Sequence, residues 1–152
     1  MADKWLPYEE SIRVPLIIHD PRLPERRRGR TIDAMALNID LAPTFLDYAN
    51  VRIPERMQGK SLLPLVRGDK PAWRTEWFYE HHTLPNIIPP SEGVRTARWK
   101  YFRWMGVEPA VEELYDLAND PREERNLVRV PEHADVLAKL RGRWERLRQE
   151  LN

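Results

Sequence analysis

Residues 94–104, Val94-Arg95-Thr96-Ala97-Arg98-Trp99-Lys100-Tyr101-Phe102-Arg103-Trp104, carry a period-two alternation. Read as one run, it sets Val94, Thr96, Arg98, Lys100, Phe102 and Trp104 on one side of a strand. Upstream, Trp77–His81 is a strand candidate by aromatic enrichment, and downstream Glu112–Leu117 is another. Residues 84–93 hold three prolines and a glycine and read as a long irregular loop. Together these runs predict a small antiparallel sheet. Residues 131–151 supply its cover. Leu137, Leu140, Trp144, Leu147 and Leu151 are spaced 3, 4, 3, 4, the stripe of an amphipathic helix, and Pro131 stands where a first-turn proline belongs.

The first half has a different grammar. Val14-Pro15-Leu16-Ile17-Ile18 is apolar at successive positions, which predicts a strand covered on both faces, ended by Asp20-Pro21. Residues 22–30 contain five arginines. They could form an anion patch, but no aromatic residue interleaves with them, and a solvated loop is the simpler reading. Residues 40–49 predict a helix with Asp40 as N-cap, Pro43 in the first turn and Leu41, Phe45, Tyr48 and Ala49 on one face. A proline- and glycine-punctuated connection over 51–68 holds a short helical turn, Leu62–Val66. The expected division is therefore an α/β part over 1–69 and an α+β part over 70–152, with an antiparallel sheet packed by a long C-terminal helix.

Composition excludes several classes. The 152 residues carry 25 Lys plus Arg against 24 Asp plus Glu, a net charge of +1, which argues against a nucleic-acid binder. No apolar run approaches the roughly 20 residues of a membrane-spanning helix, so no membrane role is expected. Cysteine is absent, which removes disulfides, thiolate metal sites and cysteine nucleophiles from this chain but selects no compartment. Of the three serines, none lies in G-x-S-x-G. Ser61, in Gln58-Gly59-Lys60-Ser61-Leu62, resembles the end of a phosphate loop, but Pro54 stands where the first glycine is required, so a helix N-cap is the better account. His81 and His82 are adjacent and on a strand would face opposite ways, so they predict no shared metal site.

Other motifs are weak singly and specific in series. Lys4-Trp5-Leu6-Pro7-Tyr8-Glu9 with Arg13 and Pro15 resembles the K-x-x-x-Y-E-x-x-x-R-x-P segment of type I sulfatases. Asp40-Leu41-Ala42-Pro43-Thr44, Gln58–Leu65, Gly93-Val94-Arg95-Thr96 with Trp99-Lys100-Tyr101, Glu113–Leu117 with Asp120-Pro121, and Asn126-Leu127 continue the match in order. The chain is similar to the C-terminal third of these formylglycine-dependent enzymes. The resemblance implies an alkaline-phosphatase-like fold: the end of a large α/β domain over 1–69, then the small C-terminal domain over 70–152.

It also implies sulfate-ester hydrolysis by the complete protein, a sulfated small molecule or glycan as substrate, and calcium or another divalent cation. The family's nucleophile is made from a Cys or Ser in C/S-x-P-x-R. Here Ser11, Ser61 and Ser91 are followed two residues on by Arg13, Leu63 and Gly93. The chain by itself is thus expected to hold neither nucleophile nor cation and to be inactive. By resemblance Lys4 is the family's sulfate contact, a point cation suited to charge spreading over sulfuryl oxygens. Tyr8 and Glu9 read as packing and hydrogen-bonding residues, and Arg13 as an ion-pair residue. His81, His82 and Arg95 are candidate substrate contacts at a pocket rim, with a plain surface loop an equal alternative. A non-catalytic glycan-binding or accessory domain is the rival function. Val14–Ile18 also points to a homodimer or to docking onto a sulfatase core.

Overall fold

The computed structural model describes residues 5–82 and 86–151. The chain divides into two compact units, residues 15–74 and residues 75–152 together with the segment that ends at Val14. The sequence division near residue 70 would place Trp5–Val14 in the first part. Backbone and side-chain bonds from Tyr8 and Glu9 to Glu113 and Glu123 place it with the sheet instead.

The sheet unit contains β1 (Glu76–His81), β2 (Ser91–Thr96), β3 (Trp99–Trp104) and β4 (Val111–Asp116), antiparallel in the order β1-β2-β3-β4. The alternating 94–104 run is therefore two strands. Its turn, Ala97-Arg98, has no glycine, proline or asparagine to announce it. Thr96 makes it instead: its hydroxyl accepts from the Trp99 N–H at 2.9 Å and donates to the Trp99 carbonyl at 3.1 Å. Arg98 then pairs with Asp116 at 2.7 Å, tying the turn to β4. The turn changes the facing of everything after it. Val94 stands opposite Tyr101 and Gly93 opposite Phe102, so Val94 and Thr96 face one way while Lys100, Phe102 and Trp104 face the other. The expected loop 84–93 likewise ends early, at the start of β2.

A helix, α4 (Ala134–Leu151), covers the Val94 face after a 3-10 turn at Pro131–His133. Leu137, Leu140 and Trp144 of the predicted stripe are buried against Val94, Tyr101 and Leu114, with Leu147 at the margin and Leu151 exposed. Arg143 and Arg146 reach Glu76 at 2.9 and 2.7 Å, and Arg148 reaches Glu92 at 3.0 Å, which fixes the helix along the sheet. Gly93 lies where β2 crosses β3 closely. A Cβ there would sit 2.5 Å from both the Phe102 Cβ and the Tyr101 carbonyl oxygen.

In the other unit, α2 (Leu41–Tyr48) follows a 3-10 turn at Asn38–Asp40, and α3 (Leu63–Arg67) follows a long connection. Asp40 occupies the N-cap position of α2, as the sequence predicts, but its side chain makes no capping bond to α2. Its fully buried carboxylate accepts from the Leu37 and Lys60 N–H groups at 2.8 Å each and from both Arg74 guanidinium nitrogens at 2.5 and 2.7 Å. Burial raises its pKa, but the Arg74 bonds and the two N–H donors outweigh that, and the net shift is downward. The buried side of α2 is Pro43 and Thr44, and Phe45 is exposed, contrary to the predicted face. Thr44 decides this: its hydroxyl donates to the Asp40 carbonyl at 2.6 Å and accepts the Leu62 N–H at 2.8 Å, so that side must face α3. Ser61 accepts the Leu63 N–H at 3.1 Å and so serves the start of α3 from one residue further out than an N-cap. The predicted strand Val14–Ile18 forms no strand and pairs with none among the described residues, and Ile17 is 89 % exposed. A run of β-branched residues pairs only where another edge is supplied, and none is supplied here. Arg13 makes no ion pair among the described residues; its N–H closes α1 (Glu9–Ile12).

Two substitutions test these anchors. Gly93→Ala forces β2 and β3 apart and should cost about 1–3 kcal/mol, as overpacking does. Hydrogen exchange should quicken over 91–104 and stay unchanged over 37–66. For Asp40, the folded pKa lies below the unfolded value of about 3.9, so its stabilisation is complete above that pH and is lost as pH falls through the folded pKa. Acid titration should loosen residues 37–74, and Asp40→Asn, which leaves Arg74 unpaired, should cost about 3–5 kcal/mol at pH 7.

Candidate functional site

The sheet face turned away from α4 carries Tyr79, His81, Gly93, Arg95, Lys100, Phe102 and Tyr115 by register. The segment Trp5–Ile12 lies across it. Pro7 is fully buried. The Tyr8 ring meets Phe102 edge-on at 5.7 Å, and its hydroxyl donates to Glu113 at 3.2 Å. Glu113 also accepts from the Trp104 indole at 2.8 Å and from the Tyr115 hydroxyl. Burial first, and then the Glu113 carboxylate, pushes the Tyr8 pKa up to about 12 and raises that of Tyr115 as well. Both phenols therefore act as fixed donors at neutral pH.

Four charged side chains meet around Lys100. Lys100 Nζ lies 2.5 Å from Glu123 and 3.4 Å from Glu9. Arg95 lies 3.2 Å from Glu9, and the Glu9 backbone N–H donates to Glu123 at 2.6 Å. Burial raises the Glu9 carboxyl, but Arg95 and Lys100 outweigh it and the pKa falls. At Glu123 burial prevails over Lys100 and the Glu9 N–H, and the pKa rises. Two acids and two bases balance, so the cluster is formally neutral. It binds α1, β2, β3 and the turn at residue 123, where the backbone is left-handed (φ 57°).

The predicted site residues separate accordingly. Lys4 lies outside the described residues. Trp5, its neighbour, meets the His81 ring edge-on at 6.1 Å, which puts His81 at the start of the segment. Arg95 shares the sheet face with His81 but is occupied by Glu9 and by the Thr96 carbonyl at 2.9 Å. His82 is turned to the α4 side, 3.7 Å from Glu92 and 3.8 Å from Glu80. Lys100 and Glu123 were not among the sequence candidates. Only the facing of Lys100, hidden by the unforeseen turn, would have pointed to it.

The donor set does not fit a divalent cation. Among the described residues no three His, Asp or Glu side chains converge to hold one, and the carboxylates that do meet, Glu9 and Glu123, are already neutralised. Ser61 donates to Asp47 at 2.5 Å, and Ser91 is buried at the edge of β2.

Comparison with known proteins agrees with this architecture. Residues 1–150 match the model of the N-sulphoglucosamine sulphohydrolase C-terminal family. An N-acetylglucosamine-6-O-sulfatase of Bacteroides thetaiotaomicron is 37% identical over 137 residues, covering 87% of this chain and 24% of that protein. A Delta 4,5-hexuronate-2-O-sulfatase of the same organism is 32% identical over 140 residues, covering 89% and 28%. The chain thus spans about a quarter of the length of these relatives. A protein solved in complex with its substrate D-glucosamine-2-N,6-O-disulfate superposes with a TM-score of 0.69 at 32% identity, over 76% of this chain and 24% of that one. A phosphonate monoester hydrolase from Silicibacter pomeroyi superposes with a TM-score of 0.64 at 27% identity, over 77% and 26%. The chain belongs to the N-sulphoglucosamine sulphohydrolase C-terminal family and forms the C-terminal portion of a sulfatase.

Proposed function

We propose that this chain is the positioning part of a sulfatase that hydrolyses sulfate esters of a sulfated sugar, and that it is inactive by itself. The observation that carries the reading is the anchoring of Trp5–Ile12 on the sheet by Tyr8 and Glu9. In the family resemblance Lys4 is the sulfate contact, and it directly precedes this anchored segment. A catalytic cation must be held within about half an ångström of its productive place, and that requires a rigid support. The buried charges provide one, because sliding the segment would strand Glu9 or Lys100 without a partner. His81, beside Trp5, is the side chain suited to meet the sugar. Arg95 acts through Glu9 as a positioning residue, and His82 belongs to the helix side.

Formylglycine and a divalent cation, which the family uses to supply the nucleophile and to hold the sulfate, would come from the rest of the sulfatase. The names of the relatives support a sulfated amino sugar or uronate as the substrate class.

The purified chain should not turn over a chromogenic aryl sulfate with calcium present. Turnover that follows the protein through purification and disappears in Lys4→Ala would overturn the reading. Retention of sulfated glucosamine without turnover would favour the accessory-domain alternative. The positioning role has its own test. Lys100→Met leaves Glu9 and Glu123 short of a cation and should cost about 3–5 kcal/mol. Amide exchange at Glu9, Ile12 and Arg13 should accelerate more than in α4. Unchanged protection at these amides would remove the lock from the account.

A further inference from the structure

The sulfate-ester reading uses none of the arginines in residues 22–30. Arg22 is taken by Asp20 at 2.9 Å. Arg28 is held by the Leu23 and Pro21 carbonyls at 2.8 and 2.7 Å. Arg30 donates through Nε to the Arg27 carbonyl and through Nη2 to the Val66 carbonyl, at 3.2 Å each. It thus closes the C-terminal end of α3, where unpaired carbonyls favour a cation. Each of these three has a structural duty. Arg26 is exposed and Arg27 half-buried, and neither guanidinium has a partner among the described residues.

The Arg27 guanidinium lies against Gly68, just past the end of α3. A Cβ on that glycine would fall 1.6 Å from Arg27 Nη1 and 3.2 Å from Arg30 Nη1, so the two Nη1 groups stand side by side. Neither donates to any described residue. Gly68 is left-handed, with φ 86°, and the residue that ends α3 is therefore also the one that leaves room for Arg27. Two like charges at this separation repel. The acids nearest in sequence, Glu25 and Asp69, are exposed and pair with neither among the described residues. Closing the end of α3 accounts for Arg30 alone. A second cation brought to the same place without a counter-charge works against the fold unless an anion joins the two.

We propose that Arg27 and Arg30, beside Gly68, form a binding site for a tetrahedral oxyanion, a sulfate or phosphate group either free or carried on a larger molecule. A guanidinium fork takes two oxygens of such a group. A tetrahedral anion then has oxygens left for a second fork, whereas a carboxylate is filled by one. The α3 carbonyls fix Arg30 without cancelling its charge, so half of the site is in place before anything binds. The inference stands apart from the sulfate-ester reading: none of its residues belongs to the sheet unit, and its test measures no turnover.

The full chain, isotope-labelled for amide spectra, is titrated with sodium sulfate and, at matched ionic strength, with sodium chloride. Sulfate should give saturating shifts at residues 25–30 and 65–69, and chloride should not. Arg27→Gln, which breaks no side-chain hydrogen bond, should weaken sulfate at least about threefold, the scale of one exposed charge pair. Arg26→Gln removes the same charge from the same turn and should leave the affinity nearly unchanged. Without sulfate, Arg27→Gln should melt no lower than the unaltered chain, because it relieves a repulsion. Dextran sulfate and uncharged dextran then separate the sources. The same shifts at a lower concentration of sulfate groups mark a group borne on a polymer, since linkage raises the effective concentration; shifts with the free ion alone mark the free ion. Equal response to chloride, equal losses in Arg26→Gln and Arg27→Gln, a lower melting point for Arg27→Gln, or shifts elsewhere would overturn the proposal.

Discussion

Lys100 is the residue on which the sheet unit turns. It sits on β3 with its ammonium buried, and it is neutralised by two glutamates far apart in sequence, Glu9 and Glu123. Desolvating such a cation costs more than its ion pairs return unless geometry and extra hydrogen bonds are nearly complete. Here they are: Arg95 shares Glu9, and Glu123 also takes the Glu9 N–H. An apolar core in the same place could be equally stable. It would tolerate sliding of the Trp5–Ile12 segment, however, and the charged one does not. The lock therefore contributes register more than free energy.

Asp40 solves the same problem in residues 15–74 with a carboxylate in place of a cation. It gathers two backbone N–H groups and a bidentate Arg74, and so holds together the approach to α2, the Gly59-Lys60 turn and the end of the unit. Gly59 belongs to the same arrangement, since a Cβ there would lie 2.0 Å from the Ile39 carbonyl oxygen. The motif residues that identify the family are thus, in large part, the residues that let backbone segments approach a buried charge closely. Gly59, Gly93, Asp40 and Glu9 each have a steric or electrostatic reason to be what they are, and none of those reasons is catalytic in itself.

Legibility in the sequence followed the locality of the cause. The α4 stripe was readable because a helix repeats its own pattern, and Leu137, Leu140 and Trp144 are buried as the spacing requires. The strands at 77–81 and 112–117 were readable to within a residue of β1 and β4. The hairpin at Ala97-Arg98 was not, because its turn rests on the Thr96 hydroxyl and on a distant Asp116, and neither is a turn signal. That one omission inverted the facing of Lys100 and hid the charged cluster. Arg95 appeared available to a substrate because its partner, Glu9, lies 86 positions away. Phe45 appeared buried because helical spacing ignores a threonine with two hydrogen-bond duties.

The two units differ in how far they satisfy themselves. In the sheet unit every strand has a neighbour, one face is sealed by α4 and part of the other by Trp5–Ile12. In residues 15–74 large apolar side chains stay in water, Ile17 and Phe45 foremost. Burying a side chain of that size stabilises by about 1.5–3 kcal/mol, a sizeable share of the few kcal/mol that hold a small domain together. A surface left in that condition gains from any occupant that covers it in the folded state alone, in proportion to the logarithm of occupant concentration over its dissociation constant. The sheet unit leaves less of its surface in that condition, because its strands are paired and α4 covers one face.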